Sequence, residues 1–191
     1  VHRNLMQSLS PIVDCGVHYL DVMCQMTSSA PLSVSAIGVR LTEAIPETNY
    51  NYGQLQIRFK DGSVGWYEAG WGPMVSETAH FIKDVFGPKG SVSLLQEEQV
   101  TDSVEGHTQT DIMKIHKAAI DTKNKFFDPD YIKRFDRAPS HQELCNFEQD
   151  YFYRAIKEDQ DLTSHIQDAI RSLEIALACD TAVKSGKTVF L

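Results

Sequence analysis

Near its start the chain carries apolar residues at helical spacing. The first periodic segment contains Val13, Val17, Leu20 and Cys24. Intervals of three and four residues put these side chains on one face, which predicts a helix from Val13 to about Gln25. Asp14, His18 and Asp21 form a polar stripe beside them. The helix is therefore expected to bury one side and to present a row of titratable groups on another.

The segments that follow have the patterns of strands. Ser33–Leu41 is rich in small and β-branched residues, and Gln54–Phe59 alternates strictly between polar and apolar residues. Lys60–Ser63 contains the Asp-Gly pair of a tight hairpin, so a return strand is expected over Val64–Trp71. Gly87–Gly90 is a second turn between apolar runs. These patterns predict antiparallel hairpins rather than parallel strands joined by helices.

Two further helices are predicted near the end of the chain. Ser140–Glu143 has the sequence of a capping box. The apolar face behind it consists of Leu144, Phe147, Tyr151, Phe152, Ala155 and Ile156. Thr163 is expected to cap the last helix, and Gly186 to end it before a short strand over Thr188–Leu191. The stripe of this last helix consists of Ile166, Ala169, Ile170, Leu173, Ala176 and Leu177.

The order of these elements predicts an α+β fold. We expect a mostly antiparallel, open-faced sheet with the helices packed on one of its faces. Residues 96–139 are polar, and within them Ile112, Ile115 and Ala119 suggest one short helix. With 191 residues the chain is long enough for one sizeable core, so a single domain over residues 1–191 is expected.

Composition and charge narrow the functional classes. The formal net charge of −8 disfavours binding to a phosphate backbone, so no nucleic-acid partner is expected. No apolar run approaches the roughly 20 residues of a membrane span, and the N-terminal residues lack the pattern of a signal peptide. The cysteines are scattered among apolar residues without a CxxC pair, which is typical of reduced thiols in a cytoplasmic protein: Cys15, Cys24, Cys145 and Cys179.

Asp14 and His18 are the candidate chemical groups of the first helix. They lie one turn apart, so the carboxylate can accept a hydrogen bond from one imidazole nitrogen and leave the other free to act on a substrate. Gly16 between them has no side chain, which allows a ligand or a backbone to approach closely. Such a pair suits a general base that removes a proton from an alcohol, although the same spacing occurs on many solvated helix surfaces.

Four motifs in one order resemble a known family. The segment Pro11–Asp21 is similar to the D-x-G-x-H-x-x-D signature of the glucose–fructose oxidoreductase/inositol dehydrogenase (Gfo/Idh/MocA) family. Phe59–Gly65 resembles its F-x-(N/D)-G-(A/S) hairpin, and Gly87–Val92 resembles its G-x-x-G-(S/T) turn. Asp168–Val189 is similar to its closing helix and final strand. The resemblance covers nearly the whole chain and is weakest in the region 96–139.

The resemblance implies a C-terminal, substrate-binding and oligomerisation domain of an NAD(P)-dependent dehydrogenase. In the family, the Asp and His of this helix act with a Lys of the nucleotide-binding domain on the reacting carbinol of a sugar, a polyol or a related hydroxy compound. His18 is then the expected acid/base, Asp14 its partner or a direct substrate contact, and Asp21 a surface or capping residue. Leu9-Ser10-Pro11-Ile12 stands where the family often has a Gly-rich stretch, so the pocket shape is expected to differ locally.

The dinucleotide itself is expected to bind outside this chain. Neither the family's G-x-G-x-x-G motif nor its Glu-Lys-Pro motif occurs, and Gly70–Pro73 is too short for a phosphate-binding turn. The absence of an initiator methionine fits the C-terminal part of a longer protein. The isolated chain is therefore expected to contain no Rossmann domain and to be inactive.

Two other groups of residues are given a structural interpretation. Aromatic side chains on adjacent strands are more often packing or interface residues than sugar platforms, and we expect some of Trp66, Tyr67 and Trp71 to lie under a second copy in a homodimer or homotetramer. No metal site is predicted, because HxxxH and HxH spacing is absent from the remaining histidines: His2, His80, His107, His116, His141 and His165. The alternative function is a non-catalytic assembly or ligand-binding module in which Asp14 and His18 are vestigial.

Overall fold

The computed structural model describes residues 4–72, 82–95, 110–119, 123, 125, 128–137 and 139–191. It divides into two compact units, one formed by Val1–Val75 with Asp161–Leu191 and the other by Ser76–Gln160. The strands in these residues are β1 (Pro31–Val39), β2 (Tyr52–Phe59), β3 (Val64–Gly70), β4 (Lys83–Gly87), β5 (Gly90–Leu95), β6 (Ile112–Lys117), β7 (Tyr131–Arg134) and β8 (Val189–Phe190). The helical elements are a 3₁₀ turn (Leu5–Gln7), a π-helical turn (Ile12–Gly16), α1 (Val17–Thr27), α2 (His141–Lys157) and α3 (Thr163–Ser185).

The first unit is an antiparallel sheet covered by helices on one face. Its strand order is β3-β2-β1-β8. Along β2 the residues Leu55, Ile57 and Phe59 are buried while Gln56 and Arg58 are exposed, so the predicted alternation is confirmed. The core between sheet and helices consists of Ile12, Leu20, Cys24, Val34, Tyr50, Leu55, Ile57, Phe59, Ile175, Ala176 and Cys179. The helix α3 packs on β1 and on α1.

The hairpin between β2 and β3 forms where the sequence predicted it. Gly62 has a φ of 89°, a conformation that favours glycine. The amide of Ser63 donates to the Asp61 carboxylate at 2.9 Å. The turn fixes the register, so Leu55 pairs with Tyr67 and Gln56 pairs with Trp66.

The buried face of α3 is not the one that the sequence predicted. Four large members of the predicted stripe are about half exposed: Ile166, Ile170, Leu173 and Leu177. The buried residues are mostly small: Ser172, Ile175, Ala176, Cys179 and Ala182. Small side chains let the helix approach β1 closely, and a Cβ on Gly38 would lie 2.7 Å from the Val183 side chain. Large apolar residues at helical spacing therefore identified a helix but not its packed face.

The second unit contains an independent antiparallel sheet with the order β4-β5-β6-β7. The single predicted sheet is therefore two sheets. The short helix expected around Ile112, Ile115 and Ala119 is wrong, because this segment forms β6 between β5 and β7. Lys114 and His116 of β6 both contact the Asp130 carboxylate, each at 2.8 Å. Paired strands on both sides outweigh the weak helical spacing of three residues.

The helix α2 belongs to this second unit. Its predicted capping box is confirmed: the Ser140 hydroxyl accepts from the Glu143 amide, and the Glu143 carboxylate accepts from the Ser140 amide. Phe147, Phe152 and Ile156 are more than half exposed, and Ala155 is the buried residue of the helix.

Two details at the ends of α3 test the predicted boundaries. Gly186 ends the helix with a φ of 65° and donates to the Ala182 carbonyl, as predicted. The Thr163 cap is wrong, because Thr163 is already helical and Asp161 supplies the side-chain oxygen that accepts from its amide at 2.9 Å. Other expected features, among them His2, His80 and His107 and all of residues 96–109, lie outside the described residues.

Candidate active site

The helix that carries Asp14 and His18 begins with a wide turn. Residues Ile12–Gly16 are π-helical, and α1 continues from Val17. Single π-helical turns inside α-helices are rare and occur frequently at functional sites. The wide turn changes the direction in which Asp14 projects from the helix axis, relative to the α-helical residues that follow.

A buried network holds the start of this turn. The Ser10 hydroxyl, whose residue is 4% exposed, accepts from the Val13 amide at 3.1 Å and donates to Asp180 at 2.7 Å. The Tyr50 hydroxyl donates to the same carboxylate oxygen of Asp180. The site helix is thereby tied both to α3 and to the loop before β2, which restrains the position of Asp14.

Asp14 lies in the π-helical turn and is half-buried. Its carboxylate accepts a weak hydrogen bond from the Cys15 thiol at 3.4 Å. Burial raises the pKa of Cys15 to about 11, the bond to Asp14 adds to this, and Trp71 acts in the opposite direction. Cys15 therefore remains a neutral thiol at neutral pH and is a poor nucleophile.

Trp71 is a buried residue at the end of the hairpin strand. The fully buried side chain of Asn51 donates to the Trp71 carbonyl at 2.6 Å, and the Trp71 amide donates to the Asn51 carbonyl at 2.7 Å. These two bonds fix the backbone of Trp71, whose side chain lies near Cys15.

Gly16 admits an aromatic ring to the site. A Cβ at this position would lie 2.9 Å from Cε1 of Tyr67, which is closer than side-chain carbons approach one another. Tyr19, one turn after Cys15, stacks on Tyr67 with ring centroids 5.1 Å apart. The sequence predicted a close approach of a ligand or backbone at Gly16, and the group that approaches is the Tyr67 ring.

His18 is exposed on the outer side of α1. Among the described residues, none forms a hydrogen bond or ion pair with its imidazole, and the structure does not join it to Asp14. Both ring nitrogens are therefore open to a ligand. The pairing of Asp14 with His18 stays a prediction.

Asp21, the third member of the polar stripe, has a different environment. Its carboxylate accepts from the Ser172 hydroxyl of α3 at 3.1 Å and from the Gln25 side chain at 2.7 Å. The bond from Ser172 joins α3 to α1, and the bond from Gln25 lies within α1. Both agree with the helix-surface role expected for Asp21.

Sequence reasoning assigned Tyr67 and Trp71 to packing or to an interface, and it missed that Tyr67 packs against Gly16 of the site helix and that Trp71 lies near Cys15. Strand parity contained the necessary information. The hairpin register places Tyr67 opposite the buried Leu55, whereas Trp66 pairs with Gln56 on the other face.

The first unit also has two shallow depressions of about 320 and 300 Å³. Neither is lined by Asp14 or His18. The first lies beside Asp21, Asp168 and Arg171, and the second lies on the open sheet face around Gln54 and Thr188. In the described part of the chain, no three or more His, Cys, Asp or Glu residues are arranged to hold a metal ion. No helix in that part is long and apolar enough to cross a membrane.

The candidate site does not fit the phosphates of a dinucleotide. Phosphate groups bind to free backbone amides at a helix N-terminus. Here the Val13 and Asp14 amides already donate to Ser10, and the Asp14 carboxylate would repel an anion. The Asp14 carboxylate and the His18 imidazole can instead form hydrogen bonds with a small polar molecule and exchange protons with it.

Comparison with solved structures supports the fold. The aldose-aldose oxidoreductase from Caulobacter crescentus, complexed with glycerol, is 17% identical with a TM-score of 0.67, over 95% of this chain and 47% of that protein. The scyllo-inositol dehydrogenase from Lactobacillus casei, with bound NAD(H) and scyllo-inositol, is 17% identical with a TM-score of 0.62, over 98% and 51%. An oxidoreductase from Agrobacterium radiobacter in complex with NAD+, L-tartaric acid and magnesium is 12% identical with a TM-score of 0.64, over 94% and 48%. The chain thus spans about half the length of these proteins.

Sequence comparison identifies the family. No curated protein sequence matches the chain significantly. The family model described as "Oxidoreductase family, C-terminal alpha/beta domain" matches residues 7–191. This chain therefore belongs to the Gfo/Idh/MocA oxidoreductase family and corresponds to its C-terminal α/β domain.

Proposed function

We propose that this chain is the substrate-binding part of an NAD(P)-dependent dehydrogenase that acts on the CH–OH group of a sugar, a polyol or a related hydroxy compound. Family membership supports oxidoreductase chemistry. Two structural relatives are complexed with glycerol and with scyllo-inositol, and the second also contains NAD(H). In this proposal the dinucleotide is bound mainly by a nucleotide-binding domain outside residues 1–191, and the unpaired thiols fit a cytoplasmic location.

One contrast on the site helix carries the proposal. Asp21 uses its carboxylate for structural hydrogen bonds. Asp14 accepts a single weak bond from a thiol, and the His18 imidazole has no partner among the described residues. Two polar groups of the family motif are therefore available for a ligand, on a helix whose beginning is fixed by Ser10 and Asp180.

The proposed chemistry assigns proton transfer to His18. Oxidation of a carbinol removes a hydride from carbon, which the nicotinamide accepts, and a proton from oxygen. Neutral His18 takes that proton, and in the reverse reaction the imidazolium returns it. Asp14 orients the imidazole or holds the substrate hydroxyl, and its negative charge stabilises the imidazolium that forms.

The test uses the full-length protein with its nucleotide-binding domain. In His18→Ala, turnover should fall roughly 10²- to 10⁴-fold, the usual contribution of a general acid/base, while the affinity for the dinucleotide stays nearly unchanged. Asp14→Asn should also lower turnover, because the amide favours the wrong imidazole tautomer. His165→Ala, a substitution of an exposed histidine on α3, is the matched control. Turnover of His18→Ala at the parent rate would refute the catalytic assignment.

A second candidate function is a non-catalytic assembly module. The uncovered sheet face, which exposes Ile37, Val39 and Trp66, favours it. The two candidates differ in the reading frame upstream of Val1, where a dehydrogenase requires a G-x-G-x-x-G turn and a Glu-Lys-Pro motif. An assembly module would lack both and would not bind NAD(H) or NADP(H) in a titration.

A further inference from the structure

We propose that a largely buried hydrogen-bond network positions Asp14 for the reaction and thereby sets the turnover of the site. The network consists of Ser10, Tyr50 and Asp180. The inference rests on the proposed function, because it assigns positioning residues to the same site. These three residues lie outside the D-x-G-x-H-x-x-D pattern, and two of them come from α3 and from the loop before β2.

Ser10 connects the network to the π-helical turn that carries Asp14. Its hydroxyl accepts from the Val13 amide at 3.1 Å, and its carbonyl accepts from the Asp14 amide at 3.0 Å. The first amides of a helix have no partner within it, so an oxygen that precedes the helix determines how the first turn is held. The two oxygens of Ser10 thus fix the backbone at Asp14 and at the residue before it.

The Asp180 carboxylate determines the orientation of the Ser10 hydroxyl. This hydroxyl donates its proton to Asp180 Oδ1 at 2.7 Å, which leaves the lone pairs of its oxygen for the Val13 amide. Ser10 is 4% exposed, so water has little access to either bond. A charged acceptor also makes a shorter and stronger hydrogen bond than a neutral one. Asp180 therefore acts on a turn that lies 170 residues earlier in the sequence.

Tyr50 binds the same carboxylate oxygen from a ring that packs on the sheet. Its hydroxyl donates to Asp180 Oδ1, and burial together with this bond raises the pKa of Tyr50, so the hydroxyl remains a donor. The ring lies against the paired glycines of β1 and β2. A Cβ on Gly38 would be 2.7 Å from Cγ of Tyr50, and a Cβ on Gly53 would be 2.8 Å from Cε2. The sheet therefore holds the ring whose hydroxyl binds Asp180.

The π-helical turn also packs on this sheet directly. Ile12 is fully buried, and a Cβ on Gly53 would be 3.0 Å from its Cδ1. The turn is thus held by an apolar contact with the sheet and by a hydrogen-bonded contact with α3. Asp14 directly follows both anchors, so its direction depends on them. Misplacement of a reacting group by about 1 Å can lower a rate roughly 100-fold.

A second hydroxyl–carboxylate pair, which joins α3 to α1, provides a matched control. Ser172 is 2% exposed, and its hydroxyl donates to Asp21 at 3.1 Å. This bond resembles the bond between Ser10 and Asp180 in chemistry and in the burial of its serine, but it lies beyond the π-helical turn. A purely structural role predicts the same consequences when either bond is lost. A positioning role predicts that only the loss of the Ser10 bond changes the reaction.

The experiment is performed on the full-length protein with these variants: Ser10→Ala, Tyr50→Phe, Asp180→Asn and Ser172→Ala. Deuterium uptake by peptides covering residues 11–17 measures how firmly the turn is held. The thermal midpoint measures global stability, and titration measures the affinity for the dinucleotide. Values of kcat and KM are determined well below the thermal midpoint, with NAD+ and NADP+ and with D-glucose, glycerol and myo-inositol as probe alcohols.

Ser10→Ala and Asp180→Asn should each lower kcat roughly 10- to 100-fold and leave the affinity for the dinucleotide unchanged. Opening of the turn should increase roughly 2- to 10-fold, as expected for one lost hydrogen bond, and deuterium uptake should rise accordingly. The double variant should resemble the single ones, because both residues act as one unit. Tyr50→Phe should act in the same direction but more weakly, because the bond between Ser10 and Asp180 remains.

Ser172→Ala should lower the thermal midpoint and leave both kcat and the uptake by residues 11–17 at the parent values. An equal decrease of kcat in this variant would overturn the inference. Parent values of kcat in Ser10→Ala and Asp180→Asn would overturn it as well, whatever the uptake. If Ser10→Ala does not fold, Tyr50→Phe, which removes only a hydroxyl, supplies the same comparison.

Failure of the inference is distinguishable from failure of the proposed function. Loss of turnover in His18→Ala, with parent turnover in Ser10→Ala and Asp180→Asn, would reject the network and keep the dehydrogenase. A parent protein that reduces neither dinucleotide with any probe would reject the dehydrogenase for these alcohols. The uptake by residues 11–17 would then decide whether the network holds Asp14 in place, and unchanged uptake would overturn the inference.

Discussion

At the scale of single residues, Gly16 determines how closely the site helix approaches the sheet. Its φ of −65° is ordinary helical geometry, so glycine is not required for the backbone. The requirement is space, because Cε1 and Cδ1 of Tyr67 would lie 2.9 and 3.3 Å from a Cβ. The neighbouring Ile12 side chain would be a further contact at 3.6 Å. Gly16 therefore allows the helix to pack directly against the Tyr67 ring, which stacks on Tyr19.

Gly16→Ala is expected to destabilise the chain. Alanine improves helix propensity by about 1 kcal/mol, but overpacking against a rigid ring costs about 1–3 kcal/mol. We expect a net decrease of up to about 2 kcal/mol in the free energy of unfolding, measured by urea denaturation.

Gly87→Ala is the control for this substitution. A Cβ on Gly87 has only the Gly90 carbonyl oxygen nearby, at 3.9 Å, so it meets no side chain. An increase in stability for Gly16→Ala would show that the Tyr67 ring moves aside freely and is not held in place.

Local sequence was sufficient to propose part of the candidate site. The D-x-G-x-H pattern selected Asp14 and His18, and their catalytic role stays a prediction. The role of Tyr67 depends on contact between strand and helix, which no local pattern encodes. A count along the hairpin from Asp61-Gly62 would still have separated Tyr67 from Trp66, because adjacent strand residues point to opposite faces.

At the scale of elements, the sequence predicted those with local signals. The Asp61-Gly62 turn, the capping box at Ser140 and the glycine end of α3 at Gly186 are all confirmed. Each depends on contacts within a few residues, so a short stretch of sequence is sufficient to specify it.

The wrong predictions concern elements defined by distant partners. The strand β6 is stabilised by β5 and β7, and its own three apolar residues at helical spacing were misleading. The buried face of α3 is set by close approach to β1, which selects small residues outside the predicted stripe, such as Cys179 and Ala182. Such choices are made by tertiary contacts and override local patterns.

The capping box of α2 should make the stability of this helix depend on pH in the acid range. Hydrogen bonds from the Ser140 amide and hydroxyl, together with Arg137, lower the pKa of Glu143 from 4.5 to about 2. A folded-state pKa below the unfolded value stabilises the helix fully above about pH 4.5, and this contribution is lost as the pH falls toward 2. Glu143→Gln should therefore lower the thermal midpoint at pH 6, and the difference from the parent should shrink at pH 2.5.

Two further variants separate the contribution of the Glu143 carboxylate to helix stability from that of the Ser140 hydroxyl. Ser140→Ala should lower the free energy of unfolding by about 1 kcal/mol at pH values above 4.5, because the hydroxyl that accepts from the Glu143 amide is removed. Glu148→Gln changes an exposed carboxylate in the same helix outside the box and should show no such pH dependence. A constant difference between Glu143→Gln and the parent from pH 6 to pH 2.5 would contradict the assigned pKa.

At the scale of the whole molecule, the division into two units was not predictable from the sequence. The first unit is completed by α3, which begins about ninety residues after the end of β3, and by β8, which begins more than a hundred residues after it. The short β8 pairs Val189 with Val34 and Phe190 with Ser33 of β1. The periodicity of the sequence predicts whether a segment is a helix or a strand. It does not predict which sheet a strand joins, because that depends on pairing with residues far away in the sequence.

The first unit leaves one face of its sheet uncovered. Strand parity places β1, β2 and β3 residues on this face, and several of them are large and exposed: Ile37, Val39, Val64 and Trp66. Tyr67 and Trp71, which were also expected there, belong to the helix-covered side, so the predicted interface retains only Trp66 of the three aromatics. An apolar face of this kind marks an interaction surface.

We predict that a second copy of the chain covers this face in the full-length protein. Trp66 is the large aromatic residue of this face: it lies on the edge strand β3, pairs with Gln56 of β2 and is 49% exposed. Trp66→Glu introduces a charge that a buried interface cannot accommodate, so light scattering after gel filtration should show a smaller assembly. Met26→Glu, at a 62% exposed residue of α1, should leave the assembly unchanged. A stable interface buries about 1,200–2,000 Å² and depends on a few large aromatic residues. A parent protein that remains monomeric at high concentration would therefore contradict the prediction. An assembly that persists in Trp66→Glu would contradict it as well.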